Sequence, residues 1–241
     1  MINRILISVI IPSYNRANTV GETIESIVNQ QVNADIEIVI GDDCSTDNAR
    51  EVLLQYKEKY PNILFIAEVY NPGLYRDYLS AGFDFLYDKV GMYDYLRGVT
   101  SHDWSAEGIT LQWQQVDDIR DKMLYFLENH DEQRSASKFF AGNPHRAFPL
   151  FTLSSLIDGN PIMLYFGQEL GEEATDAEGF SGADGRTTIF DYWSVPTVRQ
   201  WIKKGLRGLT AEQKEIRNKY KKVLNIAAKE KGIANGLFFD L

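Results

Sequence analysis

The 241-residue chain has a single cysteine, Cys44, with three histidines and seven prolines. A lone thiol excludes an internal disulfide, so nothing ties the fold to an oxidising compartment. Positive charge is in deficit: 25 Lys and Arg stand against 34 Asp and Glu, a net charge of −9. That balance argues against nucleic acid and anionic membranes as partners and suits neutral or weakly charged ligands. No apolar run approaches the roughly 20 residues that span a bilayer. Arg4 does precede an apolar run over 5–11. That run passes straight into Pro12-Ser-Tyr-Asn-Arg with no small-residue cleavage site, so it reads as a buried strand, not a leader. The expected location is cytoplasmic.

Short β-branched runs near 6–12, 36–41, 63–69, 82–87, 123–128 and 161–166 alternate with helical patterns. Helices are expected from Thr19-Val-Gly-Glu22, which has the form of a capping box, and from Ser45-Thr-Asp47, ending before Pro61. Others are expected near 90–98, 145–158, 196–204 and 210–231. This alternation predicts an α/β fold with a mainly parallel sheet of about six strand–helix units. A closed barrel of this class requires eight. The stretch 170–194, rich in Gly, Asp and Thr, reads as a long functional loop whose aromatics near 180–193 suit sugar stacking.

The first chemistry sits at the ends of the first two strands. Pro12-Ser-Tyr-Asn-Arg places polar and aromatic groups at a strand's carboxyl end, where open α/β sheets bind ligands. The run IEIVIGDD delivers Asp42 and Asp43 to the same edge. A tyrosine ring can stack on a nucleobase, and a carboxylate can accept from its N–H; capping of the second helix is the purely structural use of these aspartates. With IIPSYNR and the DDxSxD stretch over 42–47, the segment resembles the family-2 glycosyltransferases of Rossmann-like GT-A fold. The resemblance implies a UDP-sugar whose uracil is lined by Pro12, Tyr14 and Asp43, with Mn²⁺ or Mg²⁺ as cofactor. The family's metal-binding Asp-x-Asp has no counterpart in context: Asp84 and Asp88 are four apart, and Asp117-Asp118 lies in a helical pattern.

The second chemistry begins at LFIAEVYNP, which leaves Glu68 at a strand end beside apolar residues, where a carboxyl can act as general acid. MLYFLENHDEQR brings Asn129, His130 and Asp131 to a later strand end. With AGFDFLYDKVGMYDYLRG, NPIMLYFGQELGE and DGRTTIFDYW, residues from about 63 onward resemble the second half of a family-13 glycoside hydrolase barrel, the α-amylase family. That resemblance implies Glu68 as acid/base, Asp131 as a transition-state-stabilising carboxylate, and His130 and Asn129 as binders of sugar hydroxyls. Retaining glycosidases need a second carboxylate about 5–5.5 Å from the first. The family's Arg-x-Asp nucleophile, and the domain that carries its calcium site, have no counterpart in this chain.

Two segments are therefore expected: 1–60, glycosyltransferase-like, and 61–241, a partial TIM barrel contributing strands five to eight. The leading expectation is a carbohydrate-active protein derived from a retaining hydrolase of α-1,4-glucans, impaired by loss of its nucleophile, with an oligosaccharide or α-glucan as partner. The alternatives are a UDP-sugar-dependent transferase, a noncatalytic sugar-binding protein, and a fusion product without function. A homo-oligomer could supply missing strands.

Overall fold

The computed structural model describes residues 6–61, 63–174, 184–187, 195–236 and 238. They fall into two compact units, Met1–Lys89 and Val90–Leu241.

Unit one alternates strand and helix: β1 (Leu6–Ser13), α1 (Val20–Val28), β2 (Asp35–Asp42), α2 (Ala49–Lys59), β3 (Leu64–Glu68), α3 (Tyr75–Ser80) and β4 (Phe85–Tyr87). Neighbours pair in parallel and in sequence order, β1-β2-β3-β4. The pairing of β1 with β2 runs without a slip from Leu6 opposite Asp35 to Ser13 opposite Asp42. Alternate residues of β2 and β3 turn inward, so Ile38, Ile40, Phe65 and Ala67 form the sheet's buried face. The apolar residues of α1 and α2 recur four apart, and Val20, Ile24, Ala49 and Leu53 are the ones buried. Asp84 pins the far side of the sheet. Its carboxylate accepts from the Phe65 amide at 2.8 Å and pairs with Lys57.

The capping box expected at Thr19 does not form, since the Thr19 side chain makes no cap bond. The amides of Thr19 and Val20 instead both donate to the Arg16 carbonyl, at 2.9 Å each. The loop's own turn thus starts α1.

Unit two holds α4 (Asp94–Ser101), α5 (Gly108–Gln114), β5 (Met123–Phe126), α6 (Pro144–Leu156), β6 (Ile162–Met163), α7 (Pro196–Lys204), α8 (Ala211–Lys229) and α9 (Lys231–Asn235). Every residue of β5 is buried, and β5 pairs in parallel with β6 through Tyr125–Ile162 and Phe126–Met163. Aromatic stacking organises this core: Tyr93 lies on Phe126 with ring centres 4.6 Å apart, and Phe151 on Tyr220 at 4.0 Å. A true capping box opens α8, with the Gln213 amide donating to Thr210 Oγ1 at 3.1 Å and the Thr210 amide to Gln213 Oε1 at 2.9 Å.

The α/β class and its parallel pairing match the expectation from sequence. The partial TIM barrel does not. Strands β3 and β4, expected to open a half-barrel, instead continue the parallel sheet that β1 and β2 begin, and among the described residues of unit two β5 pairs with β6. Much of the expected functional loop, 175–183 and 188–194, lies outside the described residues. Among the described residues no helix is long and apolar enough to cross a membrane.

Candidate functional site

The carboxyl edge of β1 and β2 is built by two loops that share hydrogen bonds. Asn15 and Cys44, just beyond the two strand ends, both adopt left-handed backbone, with φ of 51° and 52°. Asparagine tolerates this conformation; for cysteine it is costly, and such strain persists only where the surroundings impose it. Here they do. The Asn15 side-chain oxygen accepts from the Thr46 amide at 2.7 Å and the Asp47 amide at 3.3 Å, while the Asn15 amide donates to Ser45 Oγ at 2.8 Å. In return, Asp47 accepts from the Ala17 amide at 3.0 Å and, through its other oxygen, from the Ala49 amide at 2.9 Å. Asp47 is thus the carboxylate that meets the first amide of α2.

Asp42 is buried and fully engaged, accepting from Ser45 Oγ at 2.5 Å and from the Ser45 amide at 3.0 Å. Its neighbour Asp43 is exposed, held by its amide donating to the Ser13 carbonyl at 2.9 Å. The structure therefore separates two adjacent aspartates: one braces the loop, the other faces outward. Pro12 is exposed and paired in register with Gly41. Tyr14 is 54% exposed although its neighbour Ser13 is buried. Pro12, Tyr14 and Asp43 are thus brought to one edge on a rigid frame. That arrangement offers a ring face for stacking, an acceptor, and backbone fixed before any ligand arrives.

Glu68 ends β3, next along the same edge. Tyr70 OH donates to Glu68 Oε1 at 3.1 Å, and the Cys44 thiol donates to the Glu68 carbonyl at 3.0 Å. Burial and the contact with Cys44 push the Tyr78 hydroxyl above its ordinary range.

The other expected residues lie in unit two. Asn129 is buried, and its side-chain oxygen accepts from the amides of Asp131 and Glu132 at 2.9 and 2.7 Å. This is a local turn cap. His130 Nε2 lies 3.3 Å from Asp131 Oδ2, with both side chains nearly half exposed. Asn129, His130 and Asp131 are thus together on one turn, whereas Glu68 belongs to the other unit.

The strongest electrostatic feature of unit two was not expected from sequence. Glu128 and Arg134 form a fully buried ion pair at 3.0 Å. Glu128 also accepts from the Ser135 amide at 3.0 Å and from Ser135 Oγ at 2.5 Å. Arg134 donates to Thr187 Oγ1 and to the Phe166 carbonyl, each at 2.6 Å, and its guanidinium lies over the rings of Tyr165 and Phe166. Burial pushes the Glu128 carboxyl up, the opposing pull of Arg134 notwithstanding. No composition signal marks such a pair, because both residues read as surface charges in isolation. Among the described residues no group of three or more His, Cys, Asp or Glu could hold a metal ion.

Residues 8–83 match the model of glycosyl transferase family 2. Over 111 residues, 44% of this chain, the sequence is 35% identical to a poly(ribitol-phosphate) beta-glucosyltransferase of Bacillus spizizenii, covering 16% of that protein. Over 56 residues, 23% of the chain, it is 50% identical to an uncharacterized glycosyltransferase of a Nostoc species, covering 17% of it. A putative teichuronic acid biosynthesis glycosyltransferase of Bacillus subtilis is 43% identical over 53 residues, which is 22% of the chain and 21% of that relative. The chain thus spans about a fifth or less of the length of these relatives. The solved structure of Mycobacterium tuberculosis Rv1207 overlaps 92% of both chains at 14% identity, with a TM-score of 0.39.

These likenesses support a family-2 glycosyltransferase domain in the first part of the chain. They correct the hydrolase reading. The family match and these relatives point to glycosyl transfer, and nothing found supports a family-13 hydrolase component. The α-glucan substrate falls with that reading, and the acid/base role for Glu68 and the stabilising role for Asp131 lose the resemblance that implied them. The physical reason is that a carboxylate at a strand end serves structure as readily as catalysis.

Proposed function

We propose that unit one is the nucleotide-sugar-binding part of a GT-A-type, family-2 glycosyltransferase. The observation that carries the reading is the braced edge of β1 and β2, where Tyr14 and Asp43 stand exposed on loops tied together through Asn15, Ser45 and Asp47. In this reading Tyr14 stacks on the uracil of a UDP-sugar, Pro12 packs at its edge, and Asp43 accepts from the base N–H. Asp42 does not contact ligand; it holds Ser45 in place.

Transfer with UDP as leaving group calls for Mn²⁺ or Mg²⁺ to neutralise the diphosphate. The described residues do not provide a cluster to hold such an ion. The relatives named for poly(ribitol-phosphate) and teichuronic acid support a polyhydroxylated acceptor.

The test is isothermal titration of the chain with UDP and UDP-glucose, alongside an assay for UDP release with a polyol-phosphate acceptor and Mn²⁺ or Mg²⁺. The reading expects saturable UDP binding and UDP release that requires the acceptor. Absence of nucleotide binding would sink it.

A further inference from the structure

Charge is unevenly spread along the chain. Residues 195–236 hold 11 of its 25 Lys and Arg but three of its 34 Asp and Glu, a local net charge of +8 against −17 for the rest. The overall deficit of positive charge therefore conceals one strongly basic segment. At physiological salt a charge acts over about 8 Å, so the local sign decides what docks there.

The segment begins with α7, whose apolar stripe is wider than the core it meets. Val198 is buried, and Trp201 packs against the cluster of Leu170, Val195, Val198 and Leu209. Ile202, one turn after Val198 on the same side of the helix, is 73% exposed, and Leu206 just beyond the helix is 54% exposed. Arg199, Lys203, Lys204 and Arg207 flank these two and are all exposed, and no Asp or Glu occurs between 195 and 211. The exposure belongs to an ordered turn. Gly205 ends α7 with φ 60° and ψ −149°, backbone essentially confined to glycine. The turn over 205–208 then folds onto α7 so closely that a Cβ at Gly208 would lie 2.6 Å from the Gln200 carbonyl oxygen. A fixed tip thus presents two aliphatic side chains among four cations.

On α8 the two signs occupy different faces. Ile216, Tyr220 and Val223 are buried, and opposite them lie Lys214, Lys221, Lys222 and Lys229, all exposed. The helix's two acids sit to one side, where Glu215 bonds Lys219 at 2.9 Å and Glu212 lies 3.5 Å from His145. Its 19 residues make this basic face about 28 Å long, which suits an extended anionic surface better than a small ligand. Nucleic acid and an anionic bilayer both offer such a surface. Base stacking uses aromatic rings, whereas the exposed large apolar residues of this segment, Ile202 and Leu206, are aliphatic. Aliphatic tips among lysines suit the boundary between lipid headgroups and acyl chains. We propose that α7 and the turn after it dock on an anionic lipid surface. Ile202 and Leu206 enter between the headgroups, and Lys203, Lys204 and Arg207 meet the lipid phosphates. The inference concerns unit two alone and does not rest on the transferase reading of unit one.

The experiment is co-sedimentation of the whole chain with vesicles of phosphatidylcholine alone and of equal parts phosphatidylcholine and phosphatidylglycerol. The mixed vesicles are expected to bind the chain at least about tenfold more tightly, and the difference shrinks as salt is raised. K203E/K204E lowers affinity for the mixed vesicles by about tenfold or more, and I202S/L206S lowers it by about tenfold. K122E/K138E makes the same change in net charge outside the basic segment and binds like the parent. Far-UV circular dichroism confirms that each variant keeps its helices. The proposal is overturned by an absence of binding to the mixed vesicles at millimolar lipid, or by binding that K203E/K204E and I202S/L206S leave unchanged. An equal loss in K122E/K138E would also overturn it, by reducing the effect to overall charge. Tighter binding to polyuridylic acid than to the mixed vesicles, indifferent to I202S/L206S, would overturn it in favour of nucleic acid. A lipid-free dimer in sedimentation velocity that I202S/L206S dissolves would overturn it in favour of a second copy.

Discussion

Tyr14 is exposed at the end of a strand whose next-door residue Ser13 is buried, and the loops on either side are braced by Asn15. Loss of an aromatic platform for one base costs about 1–3 kcal/mol. Tyr14→Ala is therefore expected to weaken UDP by about 5- to 150-fold in a titration while leaving the urea midpoint nearly unchanged. Asn15→Ala should do both kinds of damage, because the side chain holds two amides of the neighbouring loop. A destabilisation of about 1–2 kcal/mol is expected alongside weaker nucleotide binding. In unit two, Arg134→Met leaves Glu128 buried without its partner and should cost about 3–5 kcal/mol by urea denaturation, with Glu128→Leu on top of it recovering part of the loss. At this scale the sequence was half legible. Pro12, Tyr14 and Asp43 stand out because they interrupt apolar runs at strand ends. The roles of Asn15, Ser45 and Asp47 depend on which loops the parallel pairing brings together, a relation between residues some 30 apart that no local pattern contains.

Elements carry a different kind of information. The six strand positions follow from β-branched runs, and the structure places strands within each of them. The short helices α3 and α5 were not foreseen, since six or seven residues are too few for an apolar stripe to repeat. Thr19 shows the limit of motif reading: Thr19-Val-Gly-Glu22 has the form of a capping box, yet the box forms only at Thr210 and Gln213. Thr210→Ala should therefore cost about 1 kcal/mol in thermal or urea unfolding, with Thr19→Ala nearly silent. Glu172 links one element to the medium. Its carboxylate accepts from the Val198 amide at 3.0 Å in the first turn of α7, while burial pushes its pKa above 4.5. A carboxyl raised in the folded state holds its proton longer there than in the unfolded chain. Its contribution to stability is full below pH ~4.5 and is lost as pH rises through the raised value. Glu172→Gln keeps an acceptor without the charge. Relative to the parent it should gain stability as pH is raised from 4.5 to 7, and a flat difference across that range would contradict the account.

For the whole molecule, composition narrowed the partners and the alternation of elements gave the class, but function was misread over most of the chain's length. Glu68 and Asp131 drew their catalytic roles from the resemblance of their flanking segments to a hydrolase barrel. The structure assigns them to separate compact units, with Glu68 held by Tyr70 and Asp131 beside His130. Strand order was equally hidden. Parallel strands can be laid down in sequence or reversed beside the first, and unit one runs straight from β1 to β4. What the two units share is a separation of structural and exposed charge, with Asp42 and Glu128 buried and bonded while Asp43 and Asp131 face water. The central claim is that the edge of β1 and β2 is a nucleotide site. Its most direct test is a calorimetric titration of UDP into the parent chain and into Tyr14→Ala and Asp43→Asn. The account predicts one saturable site in the parent, weakened in both variants. No binding to the parent, or binding that both substitutions leave untouched, would contradict it.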